Sequence, residues 1–160
     1  MNGYMKTIVL NSARIEKILR RIALQVVEEC HDEPEVVIIG IEPRGSWVSE
    51  RIAKILETEN LNFSTHSIKV SDESGIALLK DTITGKPVIL VDDILNSGYT
   101  MMKALSMIMT HNPKRILTAC LVDRLHRKYP VQCDLTGLSL ATTLQEHLKL
   151  DVMVPEIVLE

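Results

Sequence analysis

Two adjacent carboxylates, Asp92 and Asp93, stand between an apolar run at residues 88–91 and a short loop of small, polar residues. A helix-forming stretch follows, so the segment has the form of a buried parallel strand that leads through a loop into a helix. Backbone N–H groups that gather at such a junction can bind phosphate. Paired carboxylates beside them suit ribose hydroxyls or a Mg²⁺ ion. The segment therefore predicts a phosphorylated sugar as the ligand.

The loop after the carboxylates contains Asn96, Ser97, Gly98 and Thr100. Small side chains leave the backbone N–H groups open to a phosphate, and glycine adopts a positive φ at low cost. The alternative interpretation is a strand end that merely turns acidic on reaching solvent. The order of apolar strand, carboxylates and small-residue loop favours the phosphosugar site.

The rest of the chain must supply the elements that position these groups. Apolar side chains at helical spacing predict a helix over residues 12–30, with Ser12 as a candidate N-cap. The other patterns predict strands at residues 36–41, 63–70, 87–91 and 116–122, and helices at residues 46–57 and 100–110. Residues 71–85 are expected to form a mobile loop or hairpin. Short edge strands are expected at residues 131–138 and 152–159. Strand alternating with helix predicts a single α/β domain over residues 1–160, with a doubly wound, mainly parallel sheet and flanking helices.

Composition bounds the class of protein. With 160 residues, 46% of them hydrophobic, and a formal net charge of −3, the chain is expected to be soluble, without a global attraction to nucleic acid or acidic membranes. The three cysteines are widely spaced and fit reduced thiols. No signal peptide or membrane-spanning segment is evident, so the cytoplasm is the expected location. The histidines lack metal-ligand spacing, and no protein-held metal site is expected.

The run VILVDDILNSGYT at residues 88–100 resembles the phosphoribosyl-pyrophosphate (PRPP) signature of the type I phosphoribosyltransferases. The resemblance implies that fold, with Asp92 and Asp93 holding the ribose 2′- and 3′-hydroxyls. It also implies that residues 96–100, including Tyr99, wrap the 5′-phosphate. The implied cofactor is a substrate-bridged Mg²⁺ ion, bound through diphosphate and ribose oxygens.

A second loop, IIGIEPRG at residues 38–45, ends another apolar strand and by itself reads as a turn, because Pro and Gly both favour turns. In the type I transferases the loop at this place grips pyrophosphate with backbone N–H groups and a basic side chain. The resemblance therefore assigns Glu42, Pro43, Arg44 and Gly45 to pyrophosphate, with Arg44 as the cation. Pro43 has no N–H to donate.

Nearly the whole chain is similar to the pyrimidine-operon regulator (PyrR-type) family, whose members bind RNA and resemble uracil phosphoribosyltransferases. The segment LVDRLHRKYPVQCDLTG at residues 121–137 carries this resemblance most specifically. It implies transfer of the phosphoribosyl group of PRPP to a nucleobase, with uracil as the expected acceptor, UMP as the product and pyrophosphate released. Two alternatives stay open: an RNA-binding regulator of pyrimidine attenuation, and a non-catalytic nucleotide-binding module.

The same resemblance places Arg124, His126 and Arg127 near the nucleobase or RNA, and Arg20 and Arg21 would extend that basic face. A solvated basic loop is the plain alternative. RNA is the less favoured partner, because no aromatic platform for stacking bases is evident. Methionine-rich and apolar helix surfaces predict a homodimer or a larger homo-oligomer.

This chain departs from that family at two places. Residues 71–85, which correspond to the family's flexible hood, form a shorter hood loop, and Tyr99 stands where relatives carry Arg. Lys69 and Lys80 flank or lie within the hood loop, and both are candidates to approach pyrophosphate. The plain alternative for each lysine is a solvated surface charge.

Overall fold

The computed structural model describes residues 5–143 and 145–160. Within these ranges the chain forms, in order, β1 (Thr7–Leu10), α1 (Ser12–Cys30), β2 (Val36–Ile41), α2 (Arg44–Leu56), β3 (Phe63–Ile68), α3 (Glu73–Ala77), α4 (Lys80–Ile83), β4 (Pro87–Val91), β5 (Ile94–Leu95), α5 (Tyr99–Met109), β6 (Arg115–Asp123), β7 (Leu135–Ser139), β8 (Leu148–Asp151) and β9 (Glu156–Leu159). Across the described residues, no helix combines the length and the apolarity that a membrane crossing requires.

The larger sheet is parallel throughout, and its strands follow the spatial order β3, β2, β4, β6. The first half of β6 pairs with β4, and its last residues pair with β5. The opposite edge of β6 pairs with β7. β5 therefore continues the line of β4 after a break at Asp92 and Asp93. This arrangement confirms the predicted doubly wound, mainly parallel sheet with flanking helices.

Two apolar clusters cover the two faces of this sheet, because successive side chains of a strand point to opposite faces. In β2, Val36 and Ile38 belong to the cluster that α1 and α2 complete. Val37 and Ile39 belong to the cluster that α3, α4 and α5 complete. Every residue of β2 and of β4 is buried. Burial on both faces explains why these strands read as continuous apolar runs in the sequence.

A second, antiparallel sheet has the strand order β1, β9, β8 and joins widely separated parts of the chain. Leu10, Leu150 and Ile157 bury this small sheet in the same apolar cluster as the side chains of α1. Ser12 Oγ donates a 2.8 Å hydrogen bond to the carbonyl of Pro155. The small sheet is thereby attached to the first turn of α1.

Two helix starts differ from those that the sequence patterns predict: α1 has the expected bounds but a different cap, and α2 begins two residues earlier. Asn11, not Ser12, caps α1, because its side-chain oxygen accepts a 2.9 Å hydrogen bond from the Arg14 N–H. α2 begins at Arg44, since Pro43 already has a helical φ of −89° and ψ of −36°. The loop between β2 and α2 is therefore shorter than expected, and Arg44 lies in the first turn of the helix.

Residues 71–85 form the two short helices α3 and α4 instead of the expected mobile loop or hairpin. Asp72 caps α3 by accepting a 3.1 Å hydrogen bond from the Gly75 N–H. Ile76 and Ile83 are buried against the sheet and α5, which gives this polar segment an apolar anchor. The expected edge strands occur in shorter form as β7 and β9, whereas β1, β5 and β8 have no counterpart among the predicted strands.

Candidate functional site

A cavity of about 220 Å³ opens where the parallel strands β2 and β4 end, and it is lined by residues 41–43 and 92–101. Ligands commonly bind at this edge of a parallel sheet, because the loops that leave neighbouring strands diverge there. The structure thus brings the two predicted carboxylates, the small-residue loop and the first part of the second loop together.

Backbone hydrogen bonds to β6 hold both carboxylate residues in place. The Asp92 N–H donates to the Ala119 carbonyl at 3.0 Å, and the Asp93 carbonyl accepts from Leu121 and Val122 at 2.9 and 3.2 Å. Both aspartates are half-buried. Their side chains therefore line the cavity from a backbone that is held in place. A site that must orient its ligand requires such fixed groups.

The two neighbouring carboxylates do not readily carry two charges in this setting. Burial, and then the charge of Asp93, raise the pKa of Asp92 well above its ordinary value. Asp92 Oδ1 accepts a 2.9 Å hydrogen bond from the Asp93 N–H, which partly offsets this effect. A ligand that donates hydrogen bonds, or that carries a cation, relieves the remaining repulsion.

The loop of residues 96–100 exposes backbone donors at the N-terminus of α5. Within the described part of the chain, the N–H groups of Ser97, Gly98 and Thr100 have no hydrogen-bond acceptor. Gly98 has a φ of +89°, and a Cβ there would lie 2.6 Å from Val131 Cγ1. Because unpaired N–H groups and the positive end of the helix dipole coincide, this loop suits a phosphate. We call it the phosphate loop.

Two arginines hold the phosphate loop from outside the cavity. Arg124 Nη1 donates to Asn96 Oδ1 at 3.0 Å, and Arg127 Nη1 donates to the Asn96 carbonyl at 3.1 Å. The N–H groups of Lys128 and Tyr129 both donate to the Ser97 carbonyl, at 2.9 and 3.1 Å. The segment after β6 therefore fixes the loop whose amides point to the cavity.

Arg127 also neutralises a buried carboxylate. Its Nη2 lies 2.5 Å from Oδ1 of Asp123, a residue that is only 6% exposed. Its Nε donates to the Val131 carbonyl at 2.6 Å. Asp123 is not among the predicted site residues, although a carboxylate four residues before an arginine can indicate an ion pair.

The basic candidates fall into two groups by their contacts. Arg21 donates to the carbonyls of Thr136 and Gly137, and His126 Nε2 contacts the Thr142 carbonyl. Arg124 and Arg127 are engaged as described above. Arg20 and Arg21 are both exposed, but the Arg20 side chain makes no hydrogen bond or ion pair with the described residues. The contacts of this basic cluster thus go largely to the protein itself, rather than leaving a freely solvated loop.

Two tyrosines form an aromatic pair that the sequence analysis did not recognise. The rings of Tyr99 and Tyr129 pack edge to face with centroids 5.5 Å apart, and they are 50% and 40% exposed. Lys103 Nζ lies 6.0 Å from the Tyr99 centroid. No aromatic platform is evident from the sequence, because the two tyrosines are far apart in it; the fold brings their rings together beside the phosphate loop.

A second cavity, of about 390 Å³, adjoins the first. It shares Asn96 and Ser97 with it and is otherwise lined by residues 124–128. This second cavity lies next to the phosphate loop. It could therefore hold a group that is attached to a sugar bound at Asp92 and Asp93. The basic segment after β6 is thereby the wall of a cavity, as well as the support of the phosphate loop.

The second loop lies against the strand that carries the carboxylates. Gly45 is buried, and a Cβ added to it would lie 2.6 Å from the Val91 carbonyl oxygen and 3.0 Å from the Asp92 Cα. Only glycine permits so close an approach. Glu42 and Pro43 line the cavity, whereas Arg44 is not among the lining residues. Arg44 Nε instead donates a 3.1 Å hydrogen bond to the Leu150 carbonyl of the small sheet.

Replacing Gly45 with alanine is expected to destabilise the fold by about 1–3 kcal/mol, because the new Cβ meets backbone atoms that cannot rotate away. Urea unfolding measures this loss. Gly75→Ala is the comparison variant: its Cβ would meet only the Asp72 side chain, which can turn away at the cost of capping the five-residue helix α3, so a smaller loss is expected. Equal stability of the Gly45→Ala and Gly75→Ala variants would contradict the close packing of the two loops.

The side-chain atoms that could bind a metal ion are few in this site. In residues 5–143 and 145–160, no group of three or more His, Cys, Asp or Glu side chains is arranged to hold a metal ion. The carboxylates of Glu42, Asp92 and Asp93 nevertheless line one cavity. Oxygen ligands of this kind suit Mg²⁺ when the substrate supplies the remaining ligands.

Proteins named bifunctional protein PyrR are similar to most of this chain. The chain is 33% identical over 156 residues to the bifunctional protein PyrR of Fusobacterium nucleatum, covering 89% of this chain and 88% of that protein. It is 34% identical over 154 residues to the bifunctional protein PyrR of Nostoc punctiforme, covering 88% and 86%.

Solved structures show the same fold at low sequence identity. The hypoxanthine-guanine phosphoribosyltransferase of Leishmania tarentolae, in complex with GMP, has a TM-score of 0.84 at 14% identity, covering 98% of this chain and 97% of that one. A Bacillus anthracis hypoxanthine-guanine phosphoribosyltransferase has a TM-score of 0.78 at 19% identity, covering 97% and 98%. The family model for the phosphoribosyl transferase domain matches residues 6–148. The chain therefore belongs to the phosphoribosyltransferase family.

Proposed function

We propose that the protein transfers the phosphoribosyl group of PRPP to uracil, forming UMP and releasing pyrophosphate. The observation that carries the proposal is the shared cavity, in which two fixed carboxylates face a loop of unpaired backbone N–H groups. Carboxylates accept hydrogen bonds from ribose hydroxyls, and backbone N–H groups donate hydrogen bonds to phosphate oxygens. A five-carbon sugar with a 5′-phosphate satisfies both sets of groups at once.

The chain's own residues have distinct roles in this proposal. Asp92 and Asp93 accept hydrogen bonds from the ribose 2′- and 3′-hydroxyls and orient the ring. The N–H groups of Ser97, Gly98 and Thr100 bind the 5′-phosphate, while Asn96 and Tyr99 flank it. As the bond from C1 to the diphosphate breaks, positive charge develops on the ring, and the nearby carboxylates stabilise it. Positioning and charge stabilisation account for most of the catalysis.

The diphosphate is proposed to leave toward Glu42, Pro43 and the start of α2. A Mg²⁺ ion that arrives with the substrate would lie beside Asp92 and Asp93 and would supply charge neutralisation for the leaving group. Pro43 offers no N–H at this end of the cavity. Arg44, the proposed cation for the diphosphate, donates from Nε to the Leu150 carbonyl and keeps both Nη groups for the ligand. No residue of the chain is assigned as general base; the proton that uracil loses as its nitrogen bonds to C1 is proposed to pass to water.

The nucleobase is proposed to occupy the second cavity, beside Arg124 and His126. Uracil is the proposed acceptor because the chain resembles the pyrimidine-operon regulator (PyrR-type) family, and the similarity to proteins named bifunctional protein PyrR supports that choice. The protein is further proposed to work in the cytoplasm as a single domain that forms a homodimer or larger homo-oligomer.

Incubation with PRPP and Mg²⁺ is expected to yield UMP from uracil, with far less product from hypoxanthine, guanine or orotate. Chromatography of the nucleotide products and a pyrophosphate assay measure the outcome, and reactions without PRPP are the control. Turnover with a purine alone would overturn the choice of acceptor. Binding of PRPP without any turnover would identify a non-catalytic nucleotide-binding module instead.

RNA-binding regulation of pyrimidine attenuation is the second candidate. The exposed pair of Tyr99 and Tyr129, with Lys103 close by, supports it, because aromatic rings beside cations suit unpaired bases. Gel shift against a pyrimidine-operon leader RNA, with and without UMP, tests this activity. Affinity that falls steeply with salt and changes with UMP would support it.

A further inference from the structure

The second cavity is lined almost entirely by polar and charged side chains. Six of its seven lining residues are of this kind: Asn96, Ser97, Arg124, His126, Arg127 and Lys128. Within the described part of the chain, Leu125 has the one apolar side chain in the lining. A nucleobase presents two flat faces that bind well to apolar or aromatic surfaces, while its edges carry the polar atoms. Leu125 is therefore the residue of this wall that suits the face of a base.

The guanidinium groups in this lining are already used by the protein. Arg124 donates from Nε to Thr142 Oγ1 at 2.9 Å and from Nη2 to the Glu146 carbonyl at 2.7 Å. Its Nη1 holds Asn96 in the phosphate loop. Arg127 uses its Nε, Nη1 and Nη2 atoms on the contacts described above. Turning either arginine toward a base would break these bonds, so the affinity for a base does not rest on the two arginines alone.

The backbone of Leu125 has a conformation that leucine rarely adopts. Its φ of +63° lies in the left-handed region, where a residue with a Cβ is strained. The Leu125 N–H donates a 2.9 Å hydrogen bond to Asp123 Oδ1, and the ion pair with Arg127 fixes that carboxylate. Core packing does not offset the strain, because Leu125 is 56% exposed. Strained residues of this kind collect at ligand sites, so the position of the Leu125 side chain indicates a role in binding.

We propose that the nucleobase packs its face on Leu125 while the sugar phosphate is bound at the phosphate loop. This role rests on the proposed transferase function and adds a binding residue for its acceptor. Asn96 and Ser97 line both cavities, so a base attached to C1 of a sugar in the first cavity enters the second beside them. The left-handed turn holds the Leu125 side chain at the wall, and the base gains affinity because this apolar surface leaves water.

Calorimetric titration with UMP and with ribose 5-phosphate tests the proposal, because the two ligands differ only in the base. Leu125→Asn is expected to weaken UMP binding by about five- to tenfold, the effect of losing roughly half the burial of an apolar side chain. The affinity for ribose 5-phosphate should stay unchanged. Asparagine has a similar size and tolerates the left-handed region, so the fold should stay intact. Leu125→Met, which is also apolar, should retain most of the UMP affinity.

Leu125→Gly separates a ligand contact from a role in the fold. Glycine adopts a positive φ without strain, so this variant should resist urea at least as well as the unaltered protein. It should nevertheless bind UMP as weakly as Leu125→Asn does, because neither variant has an apolar side chain at the wall. A loss of stability with unchanged UMP affinity would overturn the proposal, because Leu125 would then serve the fold.

Leu78→Asn is the matched control, because Leu78 is an 86% exposed leucine at the end of α3 that lines neither cavity. It should bind both ligands as the unaltered protein does. Equal UMP affinity for Leu125→Asn and the unaltered protein would overturn the role of Leu125 and leave the transferase proposal standing. An equal loss of affinity for UMP and ribose 5-phosphate would also overturn that role, since Leu125 would not contact the base. Failure of the unaltered protein to bind either ligand would overturn both proposals.

Discussion

Replacement of Asp92 and Asp93 together by asparagine is expected to lower kcat/KM for PRPP by about 10²–10⁴-fold. Each carboxylate is proposed to accept a hydrogen bond from one ribose hydroxyl, and a hydrogen bond to a charged group contributes about 1.5–3 kcal/mol. Asparagine has nearly the same shape, but it has no charge and has an NH2 donor in place of one acceptor oxygen, so the loss reports the carboxylate as a whole. Initial rates of UMP formation and titration with PRPP measure the effect.

The stability of the single variant Asp92→Asn is the control for an intact fold. The folded-state pKa of Asp92 is raised, so folding favours its neutral form, and ionisation weakens the fold as pH rises above the ordinary value of 3.8. An asparagine side chain at this position has no charge to bury. The variant should therefore be more stable than the unaltered protein at pH 7, and this gain should shrink as pH falls toward 3.8.

Unchanged PRPP affinity in the double variant would remove the ribose role of the two aspartates.

Arg127→Met is expected to destabilise the protein by about 3 kcal/mol or more, because it leaves a buried carboxylate without its cation. Asp123 is 6% exposed, and Arg127 is the partner of its Oδ1 in an ion pair of 2.5 Å. The substitution also removes the donors to the Asn96 and Val131 carbonyls. PRPP binding should weaken as well, since the phosphate loop loses one of its two arginine supports. Urea unfolding and PRPP titration measure the two effects.

A second substitution tests whether the buried charge is the cause. Adding Asp123→Asn to Arg127→Met should recover part of the lost stability, because no unpaired carboxylate remains. Lys128→Met, at the exposed next position, should be close to neutral. If Arg127→Met kept full stability and lost only RNA binding, Arg127 would be an RNA contact and not a support of the phosphate loop.

Local patterns in the sequence predicted the parts of the site that depend on neighbouring residues. The buried strands β2 and β4, the pair of Asp92 and Asp93, and the loop with Gly98 were all visible, because strand, turn and helix signals there are contiguous. The role of Arg44 was not visible in the same way. Its hydrogen-bond partner is the Leu150 carbonyl, on a strand whose position depends on pairing with distant segments.

The missed strands have a related physical cause. β5 has two residues and β1 and β8 have four each, so none of them carries a periodic pattern long enough to identify. Residues 71–85 lacked a long apolar run, yet Ile76 and Ile83 sufficed to pack two short helices on the core. Tertiary contacts, rather than local preference, decide the structure of these segments.

The order of translation has a consequence for the small sheet. β1 leaves the ribosome first, but its partner β9 follows every strand of the larger sheet. A nascent chain thus completes the parallel sheet while β1 still presents an unpaired edge, with Leu10 uncovered, to other chains or to a chaperone. Arg44 acquires its Leu150 acceptor only after β8 has been synthesised, so this contact between α2 and the small sheet forms later than the pairing of β2 with β4.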